Sequence, residues 1–260
     1  MANVISIAAQ KGGVGKSTTA MSLCAGLVRH GKKVLGLDAD PQNSLTVSFG
    51  IRKPEVLAYT LTNVFGNLIS ETSFDPMEGI IHHSEGIDLL PANVSLASME
   101  LSLVPVIGRE AVLRQYIDQI APYYDYIVLD TSPSLGLLTL NALAASDQVI
   151  IPVTPKFLDV KGLELLLKSI AQVKRQINQK LSISGILLTM VDSRMNFTRE
   201  IISLVESAYG DRIRIFNERI PCSVRAAETS AQGISIYSHD PRGKVAAAYE
   251  ALVGEVLHCA

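Results

Sequence analysis

The ten residues Gln10-Lys11-Gly12-Gly13-Val14-Gly15-Lys16-Ser17-Thr18-Thr19 constrain the fold more than any other stretch of the chain. Three of them are glycine, an apolar run at 4–9 precedes them, and an amphipathic stretch at 16–30 follows. A buried strand that passes through a glycine turn straight into a helix is the opening unit of an α/β protein. The rest of the sequence keeps that rhythm. Short runs at 33–37, 126–129, 148–153 and 183–190 are continuously apolar rather than alternating, as strands covered on both faces are. Helical patterns fall at 94–103, 110–120, 135–145, 160–177, 198–207 and 244–257. The expected fold is α/β: a mostly parallel twisted sheet with helices on both faces, built as one domain over residues 1–260. Residues 50–91 are the least regular, with Pro54, Pro76, Gly79 and the pair His82-His83, and read as an excursion carrying a small helix and two short strands.

Composition narrows the function classes. Of 260 residues 48% are hydrophobic and 18% charged, which excludes a disordered chain. Lys and Arg number 23 against 25 Asp and Glu, a net charge of −2. Nucleic-acid binding by bulk positive charge is thereby excluded, although a local basic patch is not. Cys24, Cys222 and Cys259 are odd in number and too widely spaced for a disulfide framework or a zinc knuckle. The apolar amino-terminal run lacks a basic leader. No apolar run approaches the ~18 residues of a membrane span, so a cytoplasmic location is expected.

The glycine turn has the chemistry of a phosphate cradle. The spacing G-x-x-x-x-G-K-[ST] asks for glycine at position 10, where this chain has Gln10, but Gly15-Lys16-Ser17 keeps the second half. Gly12, Gly13 and Gly15 let successive backbone N–H groups converge on phosphate oxygens at the positive end of a helix. Lys16 supplies a point charge to the outer phosphates, and the Ser17 hydroxyl suits Mg²⁺. Two acidic segments complete a nucleotide site. Asp130 ends the apolar run 126–129 at the strand edge where open α/β sheets bind ligands, and there it would orient the Mg²⁺ water shell. Asp38 and Asp40, in Asp38-Ala39-Asp40-Pro41-Gln42, alternate along an extended segment and are expected on one side of it.

These residues resemble a known family. Lys11 through Thr18 resembles the deviant Walker A motif of the MinD/ParA superfamily of P-loop ATPases, and the segment 38–42 resembles the D-x-D-P-Q signature of its ParA/Soj branch. Residues 130–134, 141–147, 220–228 and 240–244 are similar to the same branch, so the resemblance runs through the whole chain. Ser17 stands for the commoner Thr, Ser132 for a frequent Pro, and Cys222 for a frequent Arg beside the expected DNA surface.

The resemblance implies a DNA-partition switch: a weak, Mg²⁺-dependent ATPase working as a homodimer with ATP sandwiched between subunits. Lys11 would reach the partner's phosphates and neutralise charge on the leaving oxygens. Asp40 would position or activate the attacking water, Asp38 would serve the Mg²⁺ shell, and Thr18 would bond the α-phosphate. Val14 belongs to the cradle, and Pro221 falls in the loop that contacts adenine. The ATP-bound dimer would bind DNA without sequence preference through Arg194 and Arg225, with Arg199, Arg219, Arg242 and Lys244 as extensions, and would gather on the nucleoid. A ParB-type DNA-bound partner would stimulate hydrolysis and release it. With the glycine turn starting at residue 10, no helix-turn-helix is expected ahead of it. A MinD-like membrane-associated role is the alternative. It needs a basic amphipathic carboxyl-terminal helix, and residues 244–260 hold one lysine and two glutamates. A nitrogenase-like reductase would need cysteines after Asp130, and the segment between Cys24 and Cys222 has none.

Overall fold

Along the strands, alternate side chains enter two different cores, and that alternation explains the architecture. The computed structural model describes residues 2–258. Its strands are β1 (Asn3–Ile7), β2 (Val34–Ala39), β3 (Ile81–His82), β4 (Asp88–Leu90), β5 (Tyr126–Thr131), β6 (Gln148–Val153) and β7 (Ser182–Leu188). They form one sheet in the order β3-β4-β2-β5-β1-β6-β7, parallel throughout except for the β3–β4 pair. In β5, Tyr126 and Val128 point to one face and Ile127 and Leu129 to the other, with every residue of the strand buried. Parallel neighbours require crossovers, and the crossover helices cover both faces.

The helices are α1 (Lys16–Arg29), α2 (Ser44–Ser48), α3 (Leu61–Ile69), α4 (Leu96–Leu103), α5 (Val112–Ile120), α6 (Leu137–Ala145), α7 (Phe157–Gln176), α8 (Asn196–Tyr209), α9 (Val224–Gln232), α10 (Ile236–His239) and α11 (Lys244–Leu257). One core joins Ile5, Ile7 and Val128 to α1, α2, α10 and α11. On the other face Leu35, Leu37, Ile127 and Leu129 meet α3, α4, α5 and α6, while Val149, Ile151 and Ile186 meet α7 and α8. Within 50–91, α3 begins at a Thr60–Asn63 capping box, and β4 adds to the sheet beside β2.

Buried polar side chains fix the helix ends. Asn178 donates to the carbonyls of Leu143, Ala144 and Ser146, tying the chain just after α7 to the end of α6. Asn141 accepts from the Leu113 amide and donates to the Arg109 and Leu137 carbonyls. Asp147 receives the Val4 amide at 2.9 Å. The 141–147 segment thus contributes structure: it joins β1, α5 and the α6–β6 turn.

The structure departs from the sequence expectations in identifiable places. Helices α2, α9 and α10 lie outside the expected helical stretches, being short or, in Val224-Arg225-Ala226-Ala227-Glu228-Thr229-Ser230-Ala231-Gln232, poor in large apolar residues. β7 stops at Leu188, and Met190 just beyond it takes φ +52°. The carboxyl-terminal helix α11 buries Val245, Tyr249, Leu252 and Val253 against the core, so its apolar face is unavailable to a lipid surface. Among the described residues no helix is long and apolar enough to cross a membrane. Cys259 lies outside the described residues.

Helix α1 meets α11 closely at Gly26. A Cβ there would lie 2.4 Å from Val253 Cγ2 and 2.7 Å from the Tyr237 hydroxyl. Gly26→Val therefore overpacks the seam and is expected to cost about 1–3 kcal/mol, read as a lower urea midpoint at unchanged slope. An unchanged midpoint would show that α1 and α11 can separate freely.

Candidate functional site

Parallel strands deliver their carboxyl ends to one edge, so the loops after β1, β2 and β5 converge. Gly13 and Gly15 take φ +73° and +84°, and an added Cβ at Gly12 or Gly13 would meet nothing within 4 Å. The turn is therefore a backbone-lined rim facing open space. Gly15 also caps α1, whose first turn carries no acidic residue, leaving its N–H groups and dipole to an anion. The turn opens on a cavity of about 530 Å³ lined by Gly12, Gly13, Gly15, Lys16, Ser17, Thr18 and Asp40 among others.

Behind that cavity lies a buried charge cluster. Strand pairing sets Asp38 of β2 directly beside Asp130 of β5, and both are fully buried. Asp38 is satisfied: one oxygen accepts from the Asp40 amide at 3.1 Å, the other from the Thr46 amide and hydroxyl at 2.8 and 2.7 Å. Burial still pushes its carboxyl up to about 6, against those hydrogen bonds. Asp130 has no such support, since neither oxygen finds a hydrogen-bond partner. Burial and then the Asp38 charge raise it well above the usual carboxylate range, with the Ser17 hydroxyl and Lys16 easing it. Lys16 is itself buried, its Nζ donating to the Lys11 carbonyl at 3.3 Å. Burial lowers its affinity for the proton, opposed by Asp130 and Asp40. An orphaned carboxylate close to Ser17, below a glycine rim, has the donor set for a hard divalent cation bridged to phosphate oxygens.

The expected residues separate into groups. Gly12, Gly13, Gly15, Lys16, Ser17, Thr18 and Asp40 line the cavity; Asp40 also accepts the Gln42 amide at 2.9 Å. Asp38 and Asp40 do not both open on it, because Asp38 is drawn inward to Thr46. Val14 is buried beneath the turn, where its carbonyl accepts the Thr189 hydroxyl at 2.8 Å. Lys11 stands outside the cavity, exposed, with its stem 3.6 Å from where a Cβ on Gly162 of α7 would be. Pro221 lines a second, mainly apolar cavity of about 280 Å³ that shares Gly15, Thr18 and Met190 with the first.

Arg194 and Arg225 come from segments that run side by side, since Val191 lies opposite Pro221, its amide donating to the Ile220 carbonyl at 3.0 Å and its carbonyl accepting the Cys222 amide at 3.2 Å. Each has an acidic partner. Arg194 pairs with Asp192 through two hydrogen bonds of 2.9 and 2.8 Å, and Arg225 lies 3.5 Å from Glu228. Arg219 pairs with Glu206 at 2.6 Å, and Arg199 donates to the Ser193 carbonyl. Lys244 instead opens α11, and Arg242 lies in the turn just before it.

Sequence reasoning missed several lining residues. Met190, Gln42, Ser48, Pro133 and Ser230 all face the first cavity. Met190 is one of three non-glycine residues with positive φ among the described residues, a backbone signal invisible in its residue type. Ser230 arrives from α9, more than two hundred residues away from the glycine turn in sequence, and no local pattern announces it.

Known proteins resemble this chain along nearly its whole length. The family described as "AAA domain" matches residues 2–183. Sporulation initiation inhibitor protein Soj of Bacillus subtilis is 40% identical over 257 residues, 98% of each chain. Chromosome-partitioning ATPase Soj of Thermus thermophilus is 37% identical across 97% of this chain and 94% of its own. The crystal structure of cobyrinic acid a,c-diamide synthase from Mycobacterium smegmatis, holding an ATP analog and magnesium, superposes with TM-score 0.86 at 32% identity, covering 99% of this chain and 95% of that one. With relatives of this similarity along nearly its whole length, the chain belongs to the Soj/ParA family of chromosome-partitioning P-loop ATPases.

Proposed function

We propose that this partition ATPase works as an ATP-gated dimer that binds DNA non-specifically and is released by hydrolysis. Its cofactors are ATP and Mg²⁺, in keeping with the ligands of its structural relative. The triphosphate occupies the first cavity, with its oxygens on the Gly12–Gly15 amides, Lys16 and Thr18. The adenine enters the apolar cavity beside Pro221 and Met190. Ser17 and Asp130 serve the Mg²⁺, and Asp38 holds the segment that carries Asp40. The Mg²⁺ neutralises charge on the phosphate oxygens. Asp40, at the cavity wall with one oxygen turned to the Gln42 amide, orients the attacking water and accepts its proton.

One observation carries the dimer: Lys11 is exposed outside its own cavity, leaving Lys16 as the lysine that serves it. A lysine so placed is available to the phosphates of a second copy, where it would stabilise charge on the departing oxygens. In light scattering, a non-hydrolysable ATP analogue with Mg²⁺ is expected to double the mass. Lys11→Ala should stay monomeric, and a parent that remains monomeric would contradict the sandwich.

For hydrolysis, Asp40→Ala is expected to retain nucleotide and lose turnover by about 10²-fold or more, measured as phosphate release. Turnover at the parent rate would remove Asp40 from the water-positioning role. The DNA surface is assigned to Arg194 and Arg225, where phosphates must displace Asp192 and Glu228. Exposed pairs of this kind are screened by solvent and contribute little, so that competition is winnable. Arg225→Glu should weaken ATP-dependent duplex binding and reduce its salt slope by about one for each phosphate that is no longer neutralised. Unchanged affinity and slope would move the interface elsewhere. A ParB-type partner stimulates hydrolysis and completes the cycle.

A further inference from the structure

Helix α9 touches both nucleotide cavities and also carries Arg225. Its amino-terminal end gives Ala226 and Ala227 to the apolar cavity, and Ser230 reaches the phosphate cavity one turn further on. Its outward face holds Arg225, paired with Glu228, whose other partner is His239 at 2.9 Å. The helix is therefore placed between the nucleotide and the proposed DNA surface.

Its carboxyl-terminal end is fastened to the chain that follows Asp40. Ser48 of α2 donates to the Ser230 hydroxyl at 3.2 Å, and Arg52 Nη2 donates to the Ala231 carbonyl at 3.0 Å. Gly50 and Gly233, with φ +83° and +71°, bring the two backbones into direct contact. A Cβ on Gly233 would fall 2.5 Å from Gly50 Cα. His83 Nε2 meets the Gly233 carbonyl at 3.1 Å, and the Ser235 amide donates to Glu85 at 2.9 Å. The segment from Asp40 to Ser48, itself lining the phosphate cavity, is thus joined to α9 by side-chain bonds and a glycine–glycine seam.

We propose that the Gly50–Gly233 seam is a mechanical relay: nucleotide that reorders residues 40–48 shifts α9 as a unit and so changes the presentation of Arg225. Close-packed interfaces transmit small displacements because they cannot deform continuously. The seam residues act through the helix and touch neither nucleotide nor DNA, so they are positioning residues. The link from α9 to DNA rests on the function proposed above, whereas the link from the phosphate cavity to α9 rests on nucleotide binding alone.

Amide hydrogen exchange tests the relay without requiring DNA. In the parent, a non-hydrolysable ATP analogue with Mg²⁺ should slow exchange both at 12–19 and at 226–232. Gly233→Ala should keep the first response and lose the second by about fivefold or more. Because that substitution also strains a left-handed backbone position, Arg52→Ala provides a milder break from an exposed side chain. It should leave phosphate release within about twofold of the parent and weaken the α9 response in the same direction. A full α9 response in both variants, or none in the parent, would overturn the relay. Duplex binding by the same three proteins is the second arm: the ratio of affinities with and without nucleotide should fall toward one in Gly233→Ala. If the parent shows no nucleotide-dependent duplex binding, the DNA reading fails, while the exchange data still decide whether the seam couples nucleotide to α9.

Discussion

Asp38 and Asp130 stand side by side at the carboxyl ends of adjacent parallel strands, both fully buried, with Lys16 as a buried cation beside them. Two neighbouring carboxylates in a low-dielectric interior repel each other and lose hydration, which a protein tolerates only if something compensates. Three donors compensate Asp38. Asp130 has only the nearby Ser17 hydroxyl and Lys16 to ease it, and neither of its oxygens finds a hydrogen-bond partner. This unfinished electrostatic arrangement explains why the site calls for a divalent cation.

The rest of the fold holds that arrangement in place. Strand register brings the carboxylates together, so a slip of β2 against β5 would separate them. Continuous apolar strands keep the register by burying both faces, and α1 and α11 pack closely enough at Gly26 to exclude a side chain. Asn178, Asn141 and Asp147 fasten the helix ends and turns around β1. The Thr46 hydroxyl both donates to Asp38 and accepts the Ala92 amide, linking the acidic segment to the chain beyond β4.

Much of this is legible in the sequence because it is local. Glycine spacing, the lysine–serine step and an aspartate ending an apolar strand each occupy a few consecutive residues, and their chemistry follows from their types. The five longer strands are equally plain, since buried parallel strands are unbroken apolar runs. What escapes is long-range or carried by backbone geometry. Ser230 reaches the cavity only because α9 folds back over α2, and Met190 lines it through a positive φ that methionine does not advertise. Asp38 and Asp40 alternate along the chain as their spacing suggests, yet Thr46 turns Asp38 inward. Net charge is the wrong scale for the proposed DNA surface for a related reason. A chain of −2 has little bulk attraction for DNA, but the arginines proposed to meet it are gathered beside the Val191–Pro221 bridge and held there by Asp192 and Glu228.

If the buried acidic pair and the glycine rim form one site, cation and polyphosphate complete it only together. Calorimetric titration of ATP into the protein, with and without Mg²⁺, reads that dependence without any other partner. Binding should weaken by about tenfold or more when Mg²⁺ is withheld. Equal affinity in both conditions, or no ATP binding in either, would show that the pair and the rim are not one site.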